Sequence, residues 1–283
     1  MDMEHNPFSP WDRWRGEMGS SIEIINTGNE LLDGRIPNTN GQWIARRCSE
    51  KGLAVRRITV VGDRLDDVAS AVREALDRGA ELIIITGGLG PTPDDLTAEA
   101  VARALNRPLR LNEEALEMVR RFYEEKGQPM TPAREKMARL PEGAWPLRNP
   151  TGAAPGFLVQ HGRARIVALP GVPEEMKAMF ELHVGPILAE MAGERARYEA
   201  YFLAYGVRES DLAPFLEKLS RTNPDVYVKT HPRAEEGRYY LEIYVATIAS
   251  SASEARRKME HVIMALSEHI SGLGGSMMPY RPE

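Results

Sequence analysis

Residues 82–97 read Leu82-Ile83-Ile84-Ile85-Thr86-Gly87-Gly88-Leu89-Gly90-Pro91-Thr92-Pro93-Asp94-Asp95-Leu96-Thr97, and no other stretch restricts the fold of the chain as strongly. The apolar run has the length and β-branched content of a strand covered on both faces, as in a parallel sheet. Gly87, Gly88 and Gly90 remove side chains where the backbone leaves that strand, so its N–H groups can approach a ligand closely, and such a surface favours anions. Pro91 and Pro93 stiffen the turn. Asp94 or Asp95 then caps a helix marked by Leu96, Val101 and Leu105. A strand-to-helix connection needs only one capping acid, whereas two adjacent carboxylates beside a phosphate-sized cradle also suit a divalent metal. Both readings stand at this point. A nucleotide P-loop and a dinucleotide fingerprint are excluded, because no Lys follows the glycines and Pro93 occupies the fingerprint's last Gly.

The flanking sequence alternates strand and helix. Residues 20–26 form a strand that ends in Thr27-Gly28-Asn29-Glu30-Leu31-Leu32-Asp33-Gly34, and Asn38-Thr39-Asn40 opens a helix through Trp43, Ile44 and Cys48 that Gly52 closes. Residues 53–61 read as a strand ending at Gly62-Asp63, and Leu65, Val68, Val72, Ala75 and Leu76 share one face of the next helix, ended by Gly79. Alternation of this kind implies parallel strands and right-handed crossovers, which bring the Gly28, Asp63 and Gly88 loops to one rim of the sheet. That rim is where ligands of open α/β sheets sit. Helices over residues 112–126 and 131–138 follow. A turn-rich stretch from Asn149 through Gly152 to Phe157 then leads into a hairpin over 157–160 and 165–169, and Pro170-Gly171-Val172-Pro173-Glu174-Glu175 opens a helix with an apolar face of Met176, Met179, Phe180 and Leu182. Beyond Gly193 the pattern changes to strands at 198–205, 226–230 and 239–248 with helices at 209–220 and 253–270, a small α+β unit.

The 283 residues suffice for a larger and a smaller unit, and 42% hydrophobic with 27% charged residues is a globular composition. No apolar stretch approaches the ~20 residues of a membrane span. Residues 1–19 lack a signal core and read as a loose arm. The single Cys48 excludes an internal disulfide and points to the cytoplasm. A net charge of −5 argues against nucleic acid and membrane partners, while leaving room for a local basic patch around a phosphorylated substrate.

Six motifs in order carry a resemblance: Gly28-Asn29-Glu30-Leu31-Leu32 with Gly34; Asn38-Thr39-Asn40; Val61-Gly62-Asp63; Thr86-Gly87-Gly88-Leu89-Gly90-Pro91-Thr92 with Asp94-Asp95-Leu96-Thr97; Asn149 with residues 152–157; and residues 169–174. Through them residues 20–188 resemble the N-terminal domain of the competence/damage-inducible CinA family, which has the MoaB/MogA-like molybdopterin-binding fold. The resemblance implies a three-layer α/β domain with a mostly parallel sheet over residues 20–192, and a small KH-like α+β domain over 193–283. Many family members continue into a nicotinamide-mononucleotide amidohydrolase domain. The chain ends before one could begin, so deamidation is expected to be absent. Compared with the molybdopterin-adenylylating branch, Leu89 stands where Thr is usual, and Asp94 stands where a basic residue commonly precedes the shared Asp95. The extra acid favours the CinA-like activity, which the resemblance implies is metal-dependent hydrolysis of ADP-ribose to AMP and ribose 5-phosphate by a homodimer.

For that reaction a divalent ion (Mg²⁺, Mn²⁺, Co²⁺ or Ni²⁺), optionally with a monovalent cation, would be held by Asp94, Asp95, Glu174 and Glu175. Glu30 and Asp63 are candidate bases or ligands, although for either alone a solvated rim acid is the more ordinary reading. Phosphate or substrate contacts are expected from Gly28, Asn29, Asn38, Thr86, Gly87, Gly88, Gly90, Thr92, Lys136, Asn149 and Gly171, with Arg134 and Lys177 as further sources of positive charge. Cap and turn roles explain Asn38 and Asn149 equally well. Two other functions fit the same cradle: a molybdopterin-binding or adenylylating protein, and a nucleotide binder without catalysis.

Overall fold

The structure, a computed structural model, describes residues 21–235 and 238–281. The expected N-terminal arm lies outside the described residues. The chain divides into a large unit, residues 20–49 with 53–191, and a small unit that contains residues 50–52 and everything from 192 onward.

The large unit is a sheet between helices. Its strands are β1 (Ile22–Thr27), β2 (Val55–Val61), β3 (Leu82–Thr86), β4 (Leu109–Leu111), β5 (Arg139–Pro141), β6 (Trp145–Leu147), β7 (Gly156–His161) and β8 (Ala164–Leu169). Six of them form one sheet in the order β2-β1-β3-β8-β7-β6, parallel from β2 to β8 and closed by the antiparallel strands β7 and β6. The expected mostly parallel sheet is what the backbone builds. Every residue of β1 and β3 is buried, as an apolar run covered on both faces requires. Ile83 and Ile85 pack against Val72 and Ala75 of the Leu65–Asp77 helix and Val101 of the Thr97–Ala104 helix. Register then sets the site. Asn26 is level with Thr86 and Thr27 with Val61, so the turns after β1, β2 and β3 leave the sheet at one rim.

Three short strands, β4, β5 and β6, escape sequence reading because three residues, two of the strands containing proline, are too few to show a period. Leu182, expected on a buried helical face, is 47% exposed. The cause is a π-helical turn at Phe180–Val184, which widens the helix by one residue just after Met176 and Met179 have been buried.

The small unit runs β9 (Ala196–Tyr205), helix Glu209–Thr222, β10 (Val226–Glu235), β11 (Arg238–Ala249), helix Ala252–Gly272 and β12 (Ser276–Tyr280). Its sheet is antiparallel in the order β10-β11-β9-β12. This is the β-α-β-β-α-β arrangement of ferredoxin-like units, and it replaces the expected KH-like one. The difference comes from β12, an edge strand whose Pro279 and half-exposed Met278 hide its alternation. Leu241, Ile243 and Val245 meet Leu212, Val262, Leu266 and Ile270 in a core of its own.

Candidate functional site

The rim of the large unit's sheet holds a cleft of about 460 Å³, lined by the turns after β1, β2, β3 and β8, by the 153–154 loop, and by Tyr123 and Met137. The turn after β3 forms its floor. Gly87 (φ 102) and Gly88 (φ 65) adopt backbone conformations that disfavour side chains, and a Cβ on Gly87 would lie 2.7 Å from the Thr27 carbonyl oxygen. The turn is held from below. The Gly87 N–H donates to the Leu169 carbonyl (3.0 Å), Thr97 Oγ1 donates to the Gly87 carbonyl (2.7 Å), and the Thr97 N–H donates to the Gly88 carbonyl (3.0 Å). These bonds use carbonyls, and among the described residues the N–H groups of Gly88, Leu89 and Gly90 have no protein acceptor. Successive amides of this kind, in residues that line a cleft, suit an anion.

Carboxylates surround this floor. Glu30, Asp63, Asp94, Asp95 and Glu175 all line the cleft. The Asp63 carboxyl is pushed up from its ordinary value, first by partial burial and then by repulsion from Glu30, Asp94 and Asp95, while the Asn29 N–H (2.9 Å) pulls it down. Asp94 is held low, mainly by a hydrogen bond donated by Thr92 Oγ1 and also by the charge of Lys136. Asp95 Oδ2 accepts from the Thr92 N–H (2.8 Å) and lies 2.6 Å from Thr92 Oγ1, whose single proton it shares with Asp94. Neither acid caps the following helix, which starts at Thr97 with no side-chain cap. The expectation of an N-cap fails because Thr92 and Asp95 close their own turn in the manner of a capping box. Both carboxylates are thereby kept at the cleft.

The structure gathers part of the expected set. Gly28, Gly87, Gly88, Gly90 and Gly171 line the cleft with the five acids, whereas Glu174 is exposed and lies outside its lining. Its neighbour Glu175 takes the inward position one residue further round the helix and accepts a hydrogen bond from Asn149 Nδ2 (2.7 Å). Among the described residues no three His, Cys, Asp or Glu side chains form a group that could hold a metal ion. The expected cage of Asp94, Asp95, Glu174 and Glu175 is therefore not formed. Asp94 and Asp95 are the adjacent carboxylates of the lining that would hold a divalent ion.

Several expected contacts turn out to be braces. Asn29 and Asp63 bridge the turns after β1 and β2 through reciprocal bonds of 2.9 and 3.3 Å. Asn149 Oδ1 accepts from the N–H groups of Thr151 and Gly152, and Lys136 Nζ donates to the Thr92 carbonyl, steadying the acidic turn from outside the cleft. Asn38 links the Gly41 N–H to the buried Asn26, which donates to Thr86 Oγ1 (2.7 Å). Asn38 and Thr86 face a side pocket of about 120 Å³ that shares Thr27, Glu30 and Gly171 with the cleft. Arg134 stacks on Tyr123 and Lys177 on Trp43, so neither lines the cleft. Sequence reasoning missed Tyr123, Met137 and Val172. Only the helical periodicity that sets Tyr123 beside the buried stripe of Ala115 and Val119 hinted at the first.

Comparison with known proteins gives a consistent picture. Residues 23–190 match a family described as "probable molybdopterin binding domain". A protein from the archaeon Aeropyrum pernix is 47% identical over 255 residues, covering 90% of this chain and 95% of the relative. Among solved structures, a CinA protein of unknown function from Thermoplasma acidophilum shares 40% identity at a TM-score of 0.56, covering 60% of this chain and 99% of its own. The molybdopterin biosynthesis enzyme MoaB from Thermus is more remote, with 22% identity and a TM-score of 0.42 over 62% of this chain and 97% of that one.

Proposed function

The chain belongs to the probable molybdopterin binding domain family, and from that premise we propose that its cleft binds a small molecule joining a phosphate or diphosphate to a flat heteroaromatic ring. Molybdopterin is the ligand that the family's description points to. One observation carries this reading: among the described residues the amides of Gly88, Leu89 and Gly90 have no protein acceptor, and these residues line a cleft of about 460 Å³, a volume that suits a molecule of this size.

A second reading is metal-dependent hydrolysis of ADP-ribose, and the carboxylates favour it. A cleft that only holds an anion gains nothing from Glu30, Asp63, Asp94, Asp95 and Glu175 around it. Those acids would be accounted for by a divalent cation bound together with the phosphates. Asp94 and Asp95 would hold such an ion, which when bound neutralises phosphate charge and acidifies a water. The chain's own groups do the rest. The 88–90 amides would receive phosphate oxygens, and Asp63, whose carboxyl partial burial pushes up from its ordinary value, would accept the proton of the attacking water. The leaving phosphate departs with the bond electrons, giving AMP and ribose 5-phosphate.

The test incubates the full chain with ADP-ribose and Mg²⁺, Mn²⁺, Co²⁺ or Ni²⁺, and separately with molybdopterin and ATP. AMP formation that drops at least about tenfold in Asp95→Asn supports hydrolysis. An adenylylated pterin, or pterin fluorescence that copurifies, supports the first reading alone. Binding of neither class of ligand would remove both.

A further inference from the structure

The lining of the cleft combines the glycine turn and the acids with the carbon surface of Tyr123, Met137, Ala154 and Val172. Tyr123 differs from the rest because one face of its ring is already occupied. The guanidinium of Arg134 sits 3.8 Å from the ring centroid. Tyr123 lines the cleft, whereas Arg134 is outside its lining. Arg134 is itself fixed, donating to the Pro129 carbonyl and to Gln128 Oε1 (2.6 Å). The Phe122 and Tyr123 rings stand nearly perpendicular, at 85°, with centroids 5.4 Å apart. The ring is thus clamped before any ligand arrives, and a flat partner on its open face loses little freedom in the platform itself.

We propose that Tyr123, backed by Arg134, is the stacking platform that selects ligands carrying a flat heteroaromatic ring, which lies on the open face of the tyrosine while its phosphates reach the 88–90 amides. The inference rests on the reading of the cleft as a site for phosphate-bearing heteroaromatics, and it adds the residue that tells such a ligand from a bare sugar phosphate. Stacking needs only a π-face, so purine and pterin rings share this chemistry. A guanidinium on the far face strengthens the sandwich, because the cation, the tyrosine and the ligand ring lie in successive layers. Tyr123 is a specificity residue: it touches the ring and leaves the reacting phosphates alone.

The experiment measures equilibrium binding to the full chain of AMP, of ribose 5-phosphate and of a pterin, 6-hydroxymethylpterin, for the unaltered protein, Tyr123→Phe and Tyr123→Leu. Thermal melting of each variant checks that the fold is retained. The expected result is that Tyr123→Leu weakens AMP or the pterin about tenfold or more, Tyr123→Phe restores binding, and ribose 5-phosphate is unaffected by either. The ring that loses more identifies the source of the heteroaromatic. Equal weakening of AMP and ribose 5-phosphate, or unchanged binding of both rings in Tyr123→Leu, overturns the proposal. If ADP-ribose is not hydrolysed while AMP binding still depends on Tyr123, the hydrolytic reading falls and the platform stands. If none of the three probes binds the unaltered protein, both fall.

Discussion

Gly87 tolerates no side chain for two independent reasons: its φ of 102°, and the Thr27 carbonyl oxygen 2.7 Å from where a Cβ would lie. That neighbour is backbone held in β1, so it cannot swing aside. Gly87→Ala is expected to lower stability by about 2 kcal/mol or more and to abolish anion binding at the turn, measured by urea unfolding and by ligand titration. Asp63 gives a prediction in pH. Its folded carboxyl binds a proton more tightly than the unfolded one, because partial burial and the neighbouring acids oppose its charge. Between the ordinary carboxylate value and the raised one, the folded state holds more protons, so stability falls as pH rises through that window. Asp63→Asn keeps an acceptor for the Asn29 N–H and removes the repulsion. Melting temperatures of the variant, set against the unaltered protein, should therefore improve as pH rises through the window and then level off. A difference independent of pH would rule the charge explanation out. Cys48 needs no such care, since burial raises its thiol to about 12 and keeps it unreactive.

Elements place these residues. The strand ends are level because β1, β2 and β3 run parallel in matched register, and that register is anchored by side chains well away from the cleft. Glu23 in β1 is 2% exposed and is gripped by Arg78 at the end of the Leu65–Asp77 helix through bonds of 2.9 and 2.8 Å. Removing the cation leaves a buried, uncompensated carboxylate. Arg78→Met is expected to destabilise the large unit by about 3 kcal/mol, read from the denaturation midpoint, with ligand affinity unchanged in the folded fraction. The acidic turn shows the limit of local reading. The two aspartates read as helix caps because an acid before an apolar run is the commonest start signal. Thr92 decides otherwise: its N–H and hydroxyl draw the carboxylates back onto the turn. In the Pro173–Met179 helix the same ambiguity arises between neighbours, and one step of about 100° turns Glu175 inward and Glu174 outward.

At the scale of the molecule, two units with separate cores imply two unfolding events. Calorimetry is expected to give a total enthalpy above the van't Hoff value, with ligand raising only the transition of the large unit. A single transition with equal enthalpies would instead mean that the units unfold as one. Among the described residues no helix is long and apolar enough to cross a membrane. The sequence by itself determined the alternation of strand and helix, the parallel sheet, the glycine turn and the rim at which three loops meet. Period, β-branching and glycine placement are local properties, and each is written in a few neighbouring residues. Tertiary structure alone decided the rest: which of two adjacent acids faces the cleft, that Asn29, Asn149 and Lys136 brace loops, that β12 completes a ferredoxin-like sheet, and that Tyr123 and Met137 form the apolar wall. Those outcomes depend on pairs far apart in the chain, such as Glu175 with Asn149 and Tyr123 with the loop after β8, and no periodicity records a distance between strangers in sequence.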